Sequence, residues 1–137
     1  VADGYVTATQ AGVRATLIAD PDVAALVGSR VVDQPRENIE FPYIRFGQIE
    51  WRGDDTDHTR GALVQVGLKI HSRPKAGKVE ALRICETVAQ ALHLKPEAMT
   101  VEGFNVVEVE VQTWFVKRAS DGVSYEGHMA LQVQLDS

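Results

Sequence analysis

The chain has little of what most enzymes, secreted modules and nucleic-acid binders depend on. Among its 137 residues there is one cysteine, Cys85. A single thiol cannot close an internal disulfide or build a cysteine-rich zinc site, and its plain reading is a reduced structural residue. Aromatic residues make up 7% of the chain and only two are tryptophans, Trp51 and Trp114, so any surface built on large rings has few to draw on. The longest apolar runs, such as residues 23–27, are far short of the roughly 20 residues a bilayer-crossing helix needs, so no membrane partner is expected. No N-terminal stretch joins a basic start to an apolar run, so no secretory signal is expected either. Basic side chains are outnumbered, 14 against 19, for a net charge of −5. That balance removes the basic face with which a general nucleic-acid binder holds phosphates. It does not exclude a protein that lets DNA pass, since a conduit should repel phosphate rather than bind it.

What is present reads as one domain with no internal repeat and no linker. Hydrophobic residues are 45% of the total, near the globular norm. Val13, Leu17 and Ile18 share a face of a helix expected over residues 7–19, capped by Thr7 or Thr9 and ended by Asp20-Pro21. A second short helix, residues 22–27, stops at Gly28, the usual residue just past a helix end. Residues 30–33 and 42–51 read as strands, the second with apolar side chains on both faces: Tyr43 and Ile49 on one, Ile44 and Phe46 on the other. The polar segment Gly-Asp-Asp-Thr-Asp-His-Thr-Arg-Gly, residues 53–61, links it to the clearest strand, residues 63–71, where Val64, Val66, Leu68 and Ile70 alternate with Gln65, Gly67, Lys69 and His71. The main helix is expected over residues 78–94, with Leu82, Cys85, Val88, Ala89 and Leu92 on its apolar stripe. In the strand over residues 101–117, simple alternation puts Val107, Val109, Val111, Thr113 and Phe115 on one face and Val106, Glu108, Glu110, Gln112 and Trp114 on the other. Asp121-Gly122 marks a tight turn, and residues 125–135 return with Met129, Leu131, Val133 and Leu135 inward. The order predicts an α+β fold in a single domain over residues 1–137. Its sheet is mainly antiparallel, with the main helix and the N-terminal helix packed on one face.

Catalytic chemistry finds no anchor. The acidic loop Asp54, Asp55, Asp57 and His58 comes nearest to a metal site, but a calcium loop needs glycine where Arg60 stands and a bidentate acid where Val66 stands. The four histidines lack close zinc spacing, and Cys85 sits on an apolar stripe where a thiol is protonated and inert. There is no Gly-x-Ser-x-Gly elbow. Ala76-Gly77-Lys78 ends like a phosphate loop, yet the upstream glycine is missing and Val79 replaces the required hydroxyl. No catalytic residue, cofactor or metal is therefore expected. Two features remain for subunit contacts. Lys69, Arg73, Lys75, Lys78 and Arg83 form a basic cluster, either a solvated helix entrance or a patch facing an acidic neighbour such as Glu108 and Glu110. Trp51 and Trp114 lie beside polar residues, which fits the centre of an interface or the filling of a sheet edge.

Residues 19–46, ADPDVAALVGSRVVDQPRENIEFPYIRF, combine a helix plug after Asp-Pro, a glycine stop, a two-residue strand and a Pro-Tyr-Ile strand entry. With the strand-then-helix unit of residues 64–92, that order resembles the tail terminators, or tail-completion proteins, of long-tailed phages and gene transfer agents. The resemblance implies a tail-terminator-like α+β fold and a structural protein, not an enzyme. It implies a homo-oligomeric ring, hexameric in the family, at the head-proximal end of the tail tube. Such a ring ends tube polymerisation, meets the tail tube protein and the head connector or stopper, and lets DNA through its lumen without binding it. It also implies a place at the head–tail junction of a phage-like particle assembled in the bacterial cytoplasm. Two other readings stay open: a head-side stopper or adaptor of the same junction, and a small enzyme with an unrecognised site. On the ring reading the interface candidates are Trp51, Arg52, Asp54, Asp55, Asp57, His58, Arg73, Lys75, Lys78, Glu108, Glu110, Trp114 and Glu126. Glu108, Glu110 and Glu126 are offered to the lumen or a neighbour, and the acidic loop to the tube or the connector.

Overall fold

In the computed structural model, which describes residues 4–55 and 60–137, one aspartate separates the first two helices. Helix α1 is Tyr5–Ala19 and helix α2 is Pro21–Val27. The backbone N–H of Asp20 closes α1 on the carbonyls of Thr16 and Leu17, while its carboxylate accepts the N–H groups of Asp22 and Val23 at 3.0 and 3.1 Å to open α2. Pro21 then stands at the first helical position, where no N–H is needed. Neither Thr7 nor Thr9 caps α1 as expected. The helix begins earlier, behind Gly4, and the hydroxyl of Thr9 donates within it to the carbonyl of Tyr5. Tyr5 is held by stacking on Phe104, ring centroids 4.2 Å apart, which gives the added turn a tertiary partner.

Five strands follow in one sheet: β1 (Val31–Val32), β2 (Tyr43–Gly53), β3 (Gly61–His71), β4 (Asn105–Arg118) and β5 (Tyr125–Asp136). Helix α3 (Lys78–Leu92) and a 3-10 turn (Pro96–Ala98) lie between β3 and β4. The spatial order is β1-β2-β3-β5-β4, antiparallel except for the short β1–β2 pair. The fold is α+β, as the periodicity predicts. Buried residues of all three helices join those of one sheet face in a single core.

That one-sidedness rests on irregularities invisible to strict alternation. The register of β2 against β3 shifts between Phe46 and Ile49, and that of β4 against β5 shifts between Val106 and Glu108 and again between Val111 and Thr113. Each bulge adds a residue and reverses which later side chains face the core. The cross-strand rows under the helices are therefore Ile44–Ile70–Gly127–Val116, Phe46–Leu68–Met129–Trp114, Ile49–Val66–Leu131–Val111 and Trp51–Val64–Val133–Val109. Two expectations fail for this reason. In β2 Ile49 does not share a face with Tyr43: the bulge returns it to the side of Ile44 and Phe46, and Tyr43 alone of the four faces away from the helices. In β4 the inward set is Val106, Val109, Val111, Trp114 and Val116, so Val107, Thr113 and Phe115 are not core residues and Trp114 packs against the core. The uninterrupted strands β3 and β5 follow the simple alternation throughout.

Helix α3 crosses the sheet closely. Its buried stripe is Ala81, Ile84, Cys85, Val88, Ala91 and Leu92, with Leu82 only half-buried. The contact point is Gly127, where an added Cβ falls 2.5 Å from Cys85 Sγ and 3.3 Å from Ile70 Cβ. A side chain there must push α3 off the sheet. Gly127→Ala should cost about 1–3 kcal/mol of stability in urea unfolding, the range for overpacking a filled core. Burial, with a smaller contribution from Glu86, pushes the Cys85 thiol up to about 12. In the folded wild-type protein at pH 8 this thiol should therefore leave a disulfide reagent unreacted, and it should react at once in denaturant.

Candidate assembly surfaces

The side chains that bulging and alternation turn away from the helices form an open sheet face. Its rows run Tyr43–His71–Glu126–Lys117, then Arg45–Lys69–His128–Phe115, then Glu50–Gln65–Gln132–Glu110 and Arg52–Leu63–Gln134–Glu108. Between the second and third rows lie only small residues, Gly67, Ala130 and Thr113, beside the Gly47-Gln48 bulge. Gly67 leaves room for that bulge, since a Cβ there would meet the Gln48 carbonyl oxygen at 3.1 Å. The result is a shallow trough of about 260 Å³ across four strands. One bank is the stack of Phe115 on His128, centroids 5.0 Å apart, with Phe115 51% exposed. Alternation alone had turned Phe115 inward, so this exposed ring was not among the expected interface residues. The signal that finds it is the bulge at Gln112, which nothing in the local composition announces.

The expected glutamates do not form one patch. Glu108 and Glu110 lie near one end of the open face, whereas Glu126 lies near the other, 3.1 Å from His128 Nε2 and in the row of His71 and Lys117. His71 stacks on Tyr43 at 4.7 Å. Burial holds its imidazole below the usual histidine pKa; Glu126 opposes that shift, while Arg45, Lys69 and His128 add to it. The same burial raises the Tyr43 hydroxyl, with Arg45 pulling the other way.

The basic cluster is divided by the fold. Lys69 points from the open face, while Arg83 lines a cleft of about 510 Å³ between α2 and α3 with Arg30, Glu40 and Glu80. Arg73 is clamped by Glu80, whose carboxylate accepts the Arg73 backbone N–H and Nε, both at 2.7 Å, and meets its terminal nitrogen at 2.6 Å. Lys75 and Lys78 are exposed beside it. A double charge reversal at Arg73 and Lys75 would thus break an internal clamp as well as alter a surface.

The β2–β3 hairpin carries Trp51, 54% exposed, and the exposed Arg52, Asp54 and Asp55. Its acids brace the hairpin: Asp55 Oδ1 accepts the Gly61 N–H at 3.0 Å and Asp54 Oδ2 accepts from Gln134 Nε2 at 3.3 Å. Asp57 and His58 lie outside the described residues. Among the described residues no three His, Cys, Asp or Glu side chains gather as a metal site. At the opposite side of the sheet Trp114, half-buried, lines a groove of about 690 Å³ between the end of α3 and β4. The sequence placed both tryptophans among interface candidates; the structure puts them at opposite margins of one sheet.

These observations describe a class: a small α+β structural domain with one covered sheet face, one bare face and two unlike margins. Within that class the chain belongs to the tail completion protein gp17 family, whose model matches residues 11–135. A solved structure shares the fold, a chain from the virion of a native gene transfer agent (GTA) particle. It superposes with a TM-score of 0.84 at 20% identity, covering 98% of this chain and 100% of that chain. No curated protein matches.

The titration of His71 has a measurable consequence. Its folded pKa lies below its unfolded value, so the unfolded chain takes up the proton first as pH falls. Stability from this group should be full above the ordinary histidine pKa and decline through it toward pH 5. His71→Gln should flatten that part of the curve of thermal midpoint against pH, measured by circular dichroism.

Proposed function

We propose that this protein forms a hexameric ring at the head-proximal end of a tail tube, stops tube polymerisation there and offers a surface to the head connector. The observation that carries the reading is membership in a tail completion family over nearly the whole chain. The occurrence of the same fold inside a gene transfer agent virion supports it. The shape is suited to the task. A closed ring is made by heterologous contacts, in which each copy presents two different patches, and this sheet has different side chains at its β2 and β4 margins. A ring of chains each carrying −5 also suits a passage for DNA, since acidic walls do not retain phosphate. On this reading the protein acts by contact and not by catalysis, at the head–tail junction of the particle.

Removing the gene from a particle-producing strain tests the role. Electron microscopy should then show tails of uncontrolled length without heads. Finished tails of normal length beside leaking heads would instead assign the protein to the head side, as a stopper or adaptor. Normal particles would overturn both assignments.

A further inference from the structure

Trp51 and the α3–β4 groove form a complementary pair that one chain cannot satisfy by itself. Trp51 stands on β2, whose outer edge is flanked only by the two residues of β1, which pair with Ile44 and Arg45 and leave that edge uncovered at Trp51. Its indole faces the helix side of the sheet but lies past the core, and its ring carbons come within 3.5 Å of where a Cβ of Gly53 would sit. The ring therefore rests along the hairpin as a half-exposed apolar slab. The groove is also on the helix side, at the far margin of the same sheet, with Ala89, Val111 and Trp114 in its lining. Its shape is fixed where Val111 N–H donates to His93 Nδ1 at 3.0 Å and Leu94 N–H donates to the Val109 carbonyl at 2.7 Å. Leu94 itself is held at φ 55 and is 55% exposed, an unusual posture for a leucine. Charges match as well. Asp54 and Asp55 follow Trp51 at the exposed end of β2, and Lys95 borders the groove.

We propose that Trp51 of one copy seats in the α3–β4 groove of the next copy, with the acidic hairpin end over Lys95. This rests on the ring reading above and names its subunit contact. Both features look to the same side of the sheet, so neighbours can repeat the contact head to tail without turning over. Trp51 is 54% exposed, so seating it removes from water about half of the roughly 150–250 Å² an aromatic side chain can bury, enough for an interface anchor.

Two measurements decide it. Trp51→Ala should raise the concentration at which the purified chain assembles by at least about tenfold in sedimentation, the usual effect of truncating an interface anchor, with its thermal midpoint little changed because Trp51 is exposed. Chains carrying Trp51→Cys and differently tagged chains carrying Gln90→Cys should form a disulfide-linked pair only when mixed; Cys85 is buried and takes no part. Rings that assemble with no mixed link and are indifferent to Trp51→Ala would overturn this contact and leave the ring standing. Linking of Trp51→Cys chains to one another in preference to the mixed pair would overturn it in favour of a symmetric contact. A chain that stays monomeric at every concentration, alone and with its tail tube, would overturn both.

Discussion

The structure turns on one constraint: three helices supply a single apolar layer, so the side chains with which the four long strands build the core must emerge on the same side. A strand alternates with period two and cannot bend that rule by itself. Three bulges, one in β2 and two in β4, restore the phase wherever the sequence drifts out of it. The core rows, the closeness of α3 at Gly127 and the bareness of the other face all depend on that correction. So does the fate of the aromatic pair at positions 114 and 115, where one extra residue sends the tryptophan toward the core and the phenylalanine into solvent.

This explains what the sequence could and could not reveal. The faces of β3 and β5 were legible, because Val64 to Ile70 and Met129 to Leu135 alternate without interruption. The Asp20-Pro21 break and the Gly28 stop were equally plain, since each is a local backbone requirement written in one or two residues. The faces of β4 were not. Val107 and Gln112 are ordinary strand residues, and their bulging is settled by what they pair with on β5, which is tertiary information. Gly47 and Gly67 in β2 and β3 hinted at a bulge, since glycine in a strand interior often marks one. The assembly surfaces were legible as residue types and not as places: Arg73 was visible as a charge, but not its clamp on Glu80, and Glu126 was visible as an acid, but not its distance from Glu108 and Glu110.

Family membership and geometry contribute different things. The family places the chain among tail completion proteins. The geometry shows what such a chain has to work with: a bare face of mixed charge crossed by a trough, an acidic hairpin end, and margins that differ from one another. None of these is a pocket with converging acid, base and nucleophile. Binding strength in such a protein comes from a few well-packed anchors within a broad polar surround, not from the number of charges presented.

The hydrogen bonds from Leu94 to Val109 and from Val111 to His93 have a consequence beyond shaping a groove. They occupy backbone groups on the outer margin of β4, an edge strand that would otherwise offer any other exposed strand a long row of free donors and acceptors. Two groups of that row, the Val109 carbonyl and the Val111 N–H, are taken within the chain. That stretch of the edge is closed to an added strand. The two residues just past the end of the main helix, His93 and Leu94, thus act as a local cover on a sheet edge as well as a wall of the groove.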